Sequence, residues 1–167
     1  MTAAKKPVSK SPASEKATPD AVQLLVAEHK EVKGLFAQYQ KLVDGDKGEE
    51  EKEALARQIC LMLTVHATTE EEIFYPAARD AIEDEDLLDE AEVEHGSAKE
   101  LIAQIEAATP DEPLYDAKVK VLGEYIDHHV KEEEGELFPK VKKAKLDLVQ
   151  LGARIAARKE ELMPEAT

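Results

Sequence analysis

The sequence predicts an all-α protein, an antiparallel up-down four-helix bundle with an additional C-terminal helix, and three observations carry that reading. Ala, Leu, Glu and Lys dominate a chain of 167 residues with seven glycines, no tryptophan and 4% aromatics, which favours helix over sheet. Apolar residues recur at alternating steps of three and four through four long stretches, the spacing of one buried stripe per helix. Each of those stripes carries one histidine near its middle.

Residues 1–18 are rich in Lys, Ser, Pro and Ala without periodicity. Such a segment buries too little apolar surface to offset the entropy of ordering it, and is expected to be a disordered tail. Thr18, Pro19 and Asp20 give a helix start: a capping hydroxyl, a proline at the first helical position and an acid in the first turn. The first helix carries Val22, Leu25, His29, Val32, Phe36, Tyr39 and Val43 on one face. The stretch from Asp44 to Gly48 has acids and glycines but not the twelve-residue ligand pattern of a calcium loop, so it is a turn.

The second helix is expected from about Glu49 to Tyr75, with Leu55, Ile59, Met62, His66 and Ile73 on its stripe and Pro76 kinking or ending it. The third, roughly Asp86 to Ala108, carries Leu88, Ala91, His95, Ala98, Ile102 and Ile105. The fourth, about Glu112 to Phe138, carries Tyr115, Val119, Leu122, Ile126, His129, Glu133 and Leu137. Beyond Pro139, the residues Val141, Leu148, Leu151 and Ile155 predict an amphipathic fifth helix packed on the bundle. The expected organisation is therefore a tail (1–18), a bundle (19–140) and a C-terminal helix (141–167).

The formal net charge of −15 argues against nucleic-acid binding by phosphate neutralisation. The single cysteine, Cys60, excludes an intramolecular disulfide and sits in a helical apolar pattern as a small buried hydrophobe. No apolar run approaches the length of a membrane span, and no apolar stretch follows the N-terminal lysines as in a secretory signal. These absences give the expectation of a soluble, cytoplasmic protein, which is also expected to be monomeric or weakly associating.

The chemistry lies in His66-Ala67-Thr68-Thr69-Glu70 and His129-Val130-Lys131-Glu132-Glu133, each a histidine four residues before a glutamate. On a helix that spacing puts both side chains on one face, about 6 Å apart. Each copy reaches a proline ten residues after its histidine, Pro76 and Pro139. With His29 and His95 on the other two stripes, four histidines and two glutamates converge on one bundle axis, where side chains of facing helices build metal sites. Buried carboxylates are strongly unfavourable unless paired or metal-bound. One zinc would use four ligands and leave two of the six unexplained. Nitrogen and oxygen donors without thiolate suit iron or manganese, and two carboxylates suit a pair of ions. The chemistry predicts a dinuclear site of two iron ions, with zinc or manganese as alternatives.

The set formed by Glu28-His29-Lys30, the run His66 to Pro76, Val93-Glu94-His95 and the run His129 to Pro139 resembles the bacterial hemerythrin-like, or HHE cation-binding, family over residues 20 to 140. The resemblance implies a non-heme di-iron centre in which Glu70 and Glu133 bridge the ions. It implies His29 and His66 on one iron, His95 and His129 on the other. The shared spacing to proline selects His129 over His128, which is left as a flank or second-shell residue. Oxygen-carrying members have two histidines four apart on the third helix; here the positions around His95 are Ala91 and Lys99. That leaves an open position, or one for a group such as Glu92 or Glu94. Tyr39, Tyr75, Tyr115 and Tyr125 are read as core aromatics, with the sequence silent on whether one reaches the centre.

The resemblance implies binding or sensing of O2 or another small diatomic, nitric oxide, at a four-histidine, two-glutamate centre. The alternatives are a di-iron enzyme acting on peroxide or nitric oxide under oxidative or nitrosative stress, and iron storage or delivery for iron-centre repair. Either alternative brings in a redox or iron-client partner.

Overall fold

The computed structural model describes residues 18–164. Apart from Thr18, the expected tail lies outside the described residues. Among the described residues there is no strand, and the architecture is an all-α bundle. Helix α1 spans Ala21–Asp44 and α2 Glu49–Thr69; α2 passes through a π-helical turn, Glu70–Phe74, into α3, Tyr75–Ala81. Helix α4 spans Glu85–Ala107 and α5 Tyr115–Glu132; α5 likewise passes through a π turn, Glu133–Leu137, into α6, Phe138–Lys143. Helix α7, Leu148–Leu162, is the last helix among the described residues.

The start of α1 differs from the expected one. Asp20, not Thr18, caps the helix: its carboxylate accepts the Gln23 N–H at 2.9 Å, and the Gln23 side chain accepts the Asp20 N–H at 3.1 Å. This reciprocal pair satisfies two helix-end donors at once, which a lone hydroxyl does not. Asp84 and Asp147 cap α4 and α7 with one bond each, accepting the Leu87 and Gln150 backbone N–H groups without the return bond.

The prolines also behave differently. Neither Pro76 nor Pro139 ends its helix. In each case the turn before it widens, so that the Tyr75 N–H reaches the Glu70 carbonyl and the Phe138 N–H reaches the Glu133 carbonyl, five residues back. A proline lacks an N–H and crowds the carbonyl four residues earlier, and a π turn at that point accommodates both defects without breaking the rod. The helical path therefore continues to Ala81 and to Lys143. Val141 consequently belongs to α6, and the chain breaks over residues 144–147 before α7.

Two apolar clusters fill the bundle. One contains Leu25, Phe74, Leu88, Leu137, Phe138 and Val141. The other contains Val32, Ile59, Cys60, Ile102, Val119 and Leu122. The histidine–glutamate layer belongs to neither, and occupies the section between stripe residues Leu25 and Val32 of α1. Helix α7 packs on α1 and α2, burying Leu151 and Ile155 against the first cluster; full burial of one such side chain contributes about 1.5–3 kcal/mol. The crossing is close at Gly152, where a Cβ would lie 2.7 Å from the Pro19 carbonyl oxygen and 2.9 Å from the Ala21 nitrogen. Far from the histidine layer, the Tyr39 hydroxyl donates to Asp116 at 2.6 Å and Lys52 meets the same carboxylate at 3.1 Å, tying α1, α2 and α5 together.

Candidate metal centre

The stripe period brings all six sequence-selected residues, His29, His66, Glu70, His95, His129 and Glu133, into one layer. Five of them are buried, and the His66 side chain is 12% exposed. Their donor atoms form two trios, His29–His66–Glu133 and Glu70–His95–His129, each with its atoms within 4.8 Å of one another. Each glutamate touches both histidine pairs. Glu70 Oε1 lies 2.9 Å from His66 Nε2 and 3.4 Å from His95 Nε2. Glu133 repeats the pattern, with Oε2 2.9 Å from His129 Nε2 and Oε1 3.4 Å from His29 Nε2.

Both glutamates sit at the first position of a π turn. The preceding α-helix carries the histidine one turn earlier on the same face, and the widened turn then resets the register for the apolar residues that follow. The sequence signal for this device was the proline ten residues after each histidine, which marks where an ordinary helix would fail.

The outer nitrogens are held by a second ring of acids. His66 Nδ1 lies 3.1 Å from Glu28 Oε2, and His129 Nδ1 lies 2.6 Å from Glu94 Oε2. Each of these acids immediately precedes the histidine of its own helix, in Glu28-His29 and Glu94-His95. His29 Nδ1 and His95 Nδ1 lie further from Glu134 and Glu71, at 3.6 Å and 3.9 Å. An acid on Nδ1 fixes the ring's orientation and directs Nε2 inward with a free lone pair, the arrangement common behind metal-binding histidines. Glu94 therefore acts from outside the layer instead of filling a position within it, and Glu92 is exposed. The side chain of His128 is 67% exposed and pairs with Glu132 at 3.2 Å, outside the layer.

Tyr75 is the functional candidate that sequence reasoning did not single out. Its hydroxyl donates to Glu133 Oε2 at 2.7 Å and lies 3.2 Å from both His95 Nε2 and His129 Nε2. The other three tyrosines stand elsewhere: Tyr39 and Tyr115 in the second apolar cluster, Tyr125 exposed. Nothing in the spacing distinguishes Tyr75, but its place immediately before Pro76, at the exit of the π turn, is what turns it inward. Of the two positions four residues from His95, Ala91 is buried beside a pocket of about 10 Å³ shared with His129 and Glu133, and Lys99 is exposed.

The layer carries strongly shifted protonation. Burial opposes charge on His66, but Glu70 and Glu28 outweigh it and hold the imidazole well above its usual range. His129 is pushed up to about 9 by Glu133 and Glu94 against the same burial penalty. Burial raises Glu70, yet His66 and His95 hold its carboxyl well below the usual carboxylate range. Burial, then the Glu70 and Glu133 carboxylates, push the Tyr75 phenol well above its ordinary value. Groups this perturbed, gathered in one interior layer, mark a functional site.

Whether the residues fit a cation is tested by the atoms left over. Among the described residues, seven buried side-chain atoms have no hydrogen bond: both nitrogens of His29, His66 Nε2, both oxygens of Glu70, His95 Nδ1 and Glu133 Oε1. All seven belong to the six-residue set. Two of the seven, His29 Nδ1 and His95 Nδ1, face outward; buried polar atoms are ordinarily paired, and the other five, gathered in one layer, make the environment of a cation. Cys60 is not part of it; it lies in the second apolar cluster, its thiol pushed up to about 12 by burial.

Fold and layer together define a helical-bundle protein with a histidine–carboxylate cation site. Residues 20–141 match the hemerythrin HHE cation binding domain family, and the chain belongs to that family. A solved structure of a hemerythrin HHE cation binding domain-containing protein from Mycobacterium kansasii is similar, with a TM-score of 0.70 and 26% identity, over 86% of this chain and 87% of that one. A Nostoc protein named a DNA nickase is 31% identical over 129 residues. The match takes in 77% of this chain but spans only about a third of that relative, 35% of its length. No helix among the described residues is long and apolar enough to cross a membrane.

Proposed function

We propose that His29, His66, Glu70, His95, His129 and Glu133 hold two iron ions and that the centre binds or senses a small diatomic, O2 or nitric oxide. The observation that carries this reading is the doubled geometry: two histidine pairs, each within reach of both glutamates, so that each carboxylate has one contact on either side. Nitrogen and oxygen donors without thiolate favour iron or manganese over a structural zinc site. When bound, the ions supply electrons and an open coordination position to the diatomic. The chain's own part is to orient the imidazoles through Glu28 and Glu94, and to set the layer between two apolar clusters.

The test is metal content with an optical spectrum of protein purified without oxygen and then exposed to air. About two irons per chain, with a new absorption band that reverses under vacuum, supports the reading, and Glu70→Ala should then reduce the iron to one or fewer per chain. One zinc, or no iron after growth in iron-rich medium, overturns it.

Tyr75 favours a second reading, an enzyme acting on peroxide or nitric oxide. Its phenol is held neutral beside the His95/His129 pair and is positioned to donate a hydrogen bond or a proton to a reacting oxygen. Catalytic turnover that falls at least tenfold in Tyr75→Phe, with iron content unchanged, would favour the enzyme over the binding module.

A further inference from the structure

The acids behind the two halves of the histidine layer are balanced differently. Glu28 gives one oxygen to His66 Nδ1 at 3.1 Å and the other to the Lys159 ammonium at 3.2 Å, so a cation from α7 offsets its charge. Glu94 gives one oxygen to His129 Nδ1 at 2.6 Å, and no Lys or Arg pairs with it among the described residues. The residues that precede each repeated histidine and glutamate differ in the same sense. In the first run they are Val65, which has no donor atom, and Thr69, whose hydroxyl is used on the His66 carbonyl at 2.9 Å. In the second run they are His128 and Glu132, with His128 Nε2 3.2 Å from Glu132 Oε1. One donor atom from each of Glu94, His128 and Glu132 lies within 4.8 Å of the others.

We propose that Glu94, His128 and Glu132 form an outer site for one divalent first-row transition ion, which does for Glu94 what Lys159 does for Glu28. The inference goes beyond the function proposed above. The outer site stands without that reading, and only its coupling to the inner layer rests on it.

An imidazole and a carboxylate one helical turn apart satisfy each other, so His128 and Glu132 alone call for nothing further. Glu94 changes the balance, because a second carboxylate against that pair adds like charge at short range, and a cation relieves it. Two ligands of one ion, each at about 2.1 Å, stand about 3–3.5 Å apart, and the His128–Glu132 separation of 3.2 Å meets that spacing. The imidazole selects the class: calcium and magnesium take oxygen ligands, whereas nitrogen with carboxylate suits a first-row transition ion. Three protein donors leave coordination positions for water, and the His128 and Glu132 side chains are 67% and 33% exposed, so the ion exchanges with solvent. The net charge of −15 raises the concentration of cations around the chain.

Glu94 belongs to both sites. An ion on its carboxylate draws charge away from the His129 ring that it orients, and so makes that imidazole a poorer inner ligand. Filling either site therefore weakens the other by the same factor.

The experiment dialyses the full chain, iron-loaded and metal-free, against zinc in excess magnesium, and counts bound zinc by mass spectrometry. In both states the wild type should hold one zinc per chain more than His128→Ala or Glu132→Gln, two changes outside the buried layer. Glu100→Gln, at an exposed acid elsewhere on α4, should bind zinc as the wild type does. Equal zinc in the wild type and both variants, the same loss in Glu100→Gln, or displacement by magnesium overturns the proposal. Zinc should also speed the release of iron to a chelator in the wild type and not in His128→Ala; equal release overturns the sharing of Glu94. Iron content separates the two readings. Two irons with no difference in zinc removes only the outer site, whereas the zinc difference without iron removes only the iron centre.

Discussion

In the His29/His66 half of the centre a phenyl ring, Phe138, lies parallel to His29 at a centroid distance of 6.0 Å. In the His95/His129 half the corresponding residue before the proline, Tyr75, instead brings a hydroxyl within 3.2 Å of both imidazoles. The rest of the two halves matches closely. Each has a histidine pair with rings 4.8–4.9 Å apart, one glutamate at a π turn and one acid on an outer nitrogen. Helix α7 adds a second asymmetry, because Lys159 binds Glu28 at 3.2 Å and so supports only the His29/His66 side. The orphaned atoms divide almost evenly, four in the His29–His66–Glu133 trio and three in the Glu70–His95–His129 trio. What distinguishes the halves is the phenol, which lies 3.2 Å from the Nε2 atoms of His95 and His129.

The outer acids give the largest expected effect. Glu28→Gln and Glu94→Gln should each weaken metal binding roughly 10–100-fold, because each removes the charge behind one ligand imidazole. Chelator competition should show the loss confined to one of the two ions in each variant; equal loss of both would mean the halves are not independent.

Gly152→Ala probes the support from α7. The added methyl meets the backbone at Pro19 and Ala21, which cannot rotate away, so the variant should lose about 1–3 kcal/mol in denaturant unfolding. It should also loosen the ion of the His29/His66 half before the other.

Tyr75→Phe removes a buried donor from Glu133, which keeps His129 as a partner, so metal-free stability should fall by about 1 kcal/mol. Phe138→Tyr, which makes the halves alike, should cost less, since the nitrogens of His29 have no partner to lose. Urea titration of both variants measures the difference.

A pH dependence of the metal-free protein draws on both halves at once. The folded-state pKa of His129 is raised to about 9 from an ordinary value of about 6.5. Its contribution is therefore fully present below about pH 6.5 and is lost as the pH rises through about 9. His66, also raised, acts with the same sign. The melting temperature of the metal-free protein should fall by several degrees between pH 6.5 and 9.5. The metal-loaded protein should not follow, because its ligands are already deprotonated.

The four stripes and the six inward residues were legible because helical period and burial are local properties: a histidine on an apolar stripe must face the axis. The two π turns were not. Pro76 and Pro139 announce that an ordinary helix cannot pass, but whether the chain breaks or widens depends on the packing of Phe74 and Leu137, both buried against other helices. Tyr75 was hidden by the same event, since its direction depends on the extra residue in that turn. Glu28 looks like a solvated charge in a chain with 37 acids, and Glu94 reads as a possible filler of the open position; only the crossing of neighbouring helices shows that they face His66 and His129 from outside.

The widened turns also make the centre sensitive to a kind of change that side-chain chemistry does not capture. An α-helix advances about 100° per residue. Removing a single codon between Glu70 and Tyr75 would restore ordinary winding and leave His66 and Glu70 where they are. The Tyr75 N–H would then meet the Glu70 carbonyl four residues back instead of five, so the downstream register would largely hold, but Pro76 would be set against an unrelieved carbonyl. The same holds between Glu133 and Phe138. Substitutions at exposed Glu72 or Gly135 should pass with little consequence, while a one-residue deletion beside them removes the slack that lets the proline sit within a continuous helix. In these two places the number of residues matters more than which residues they are.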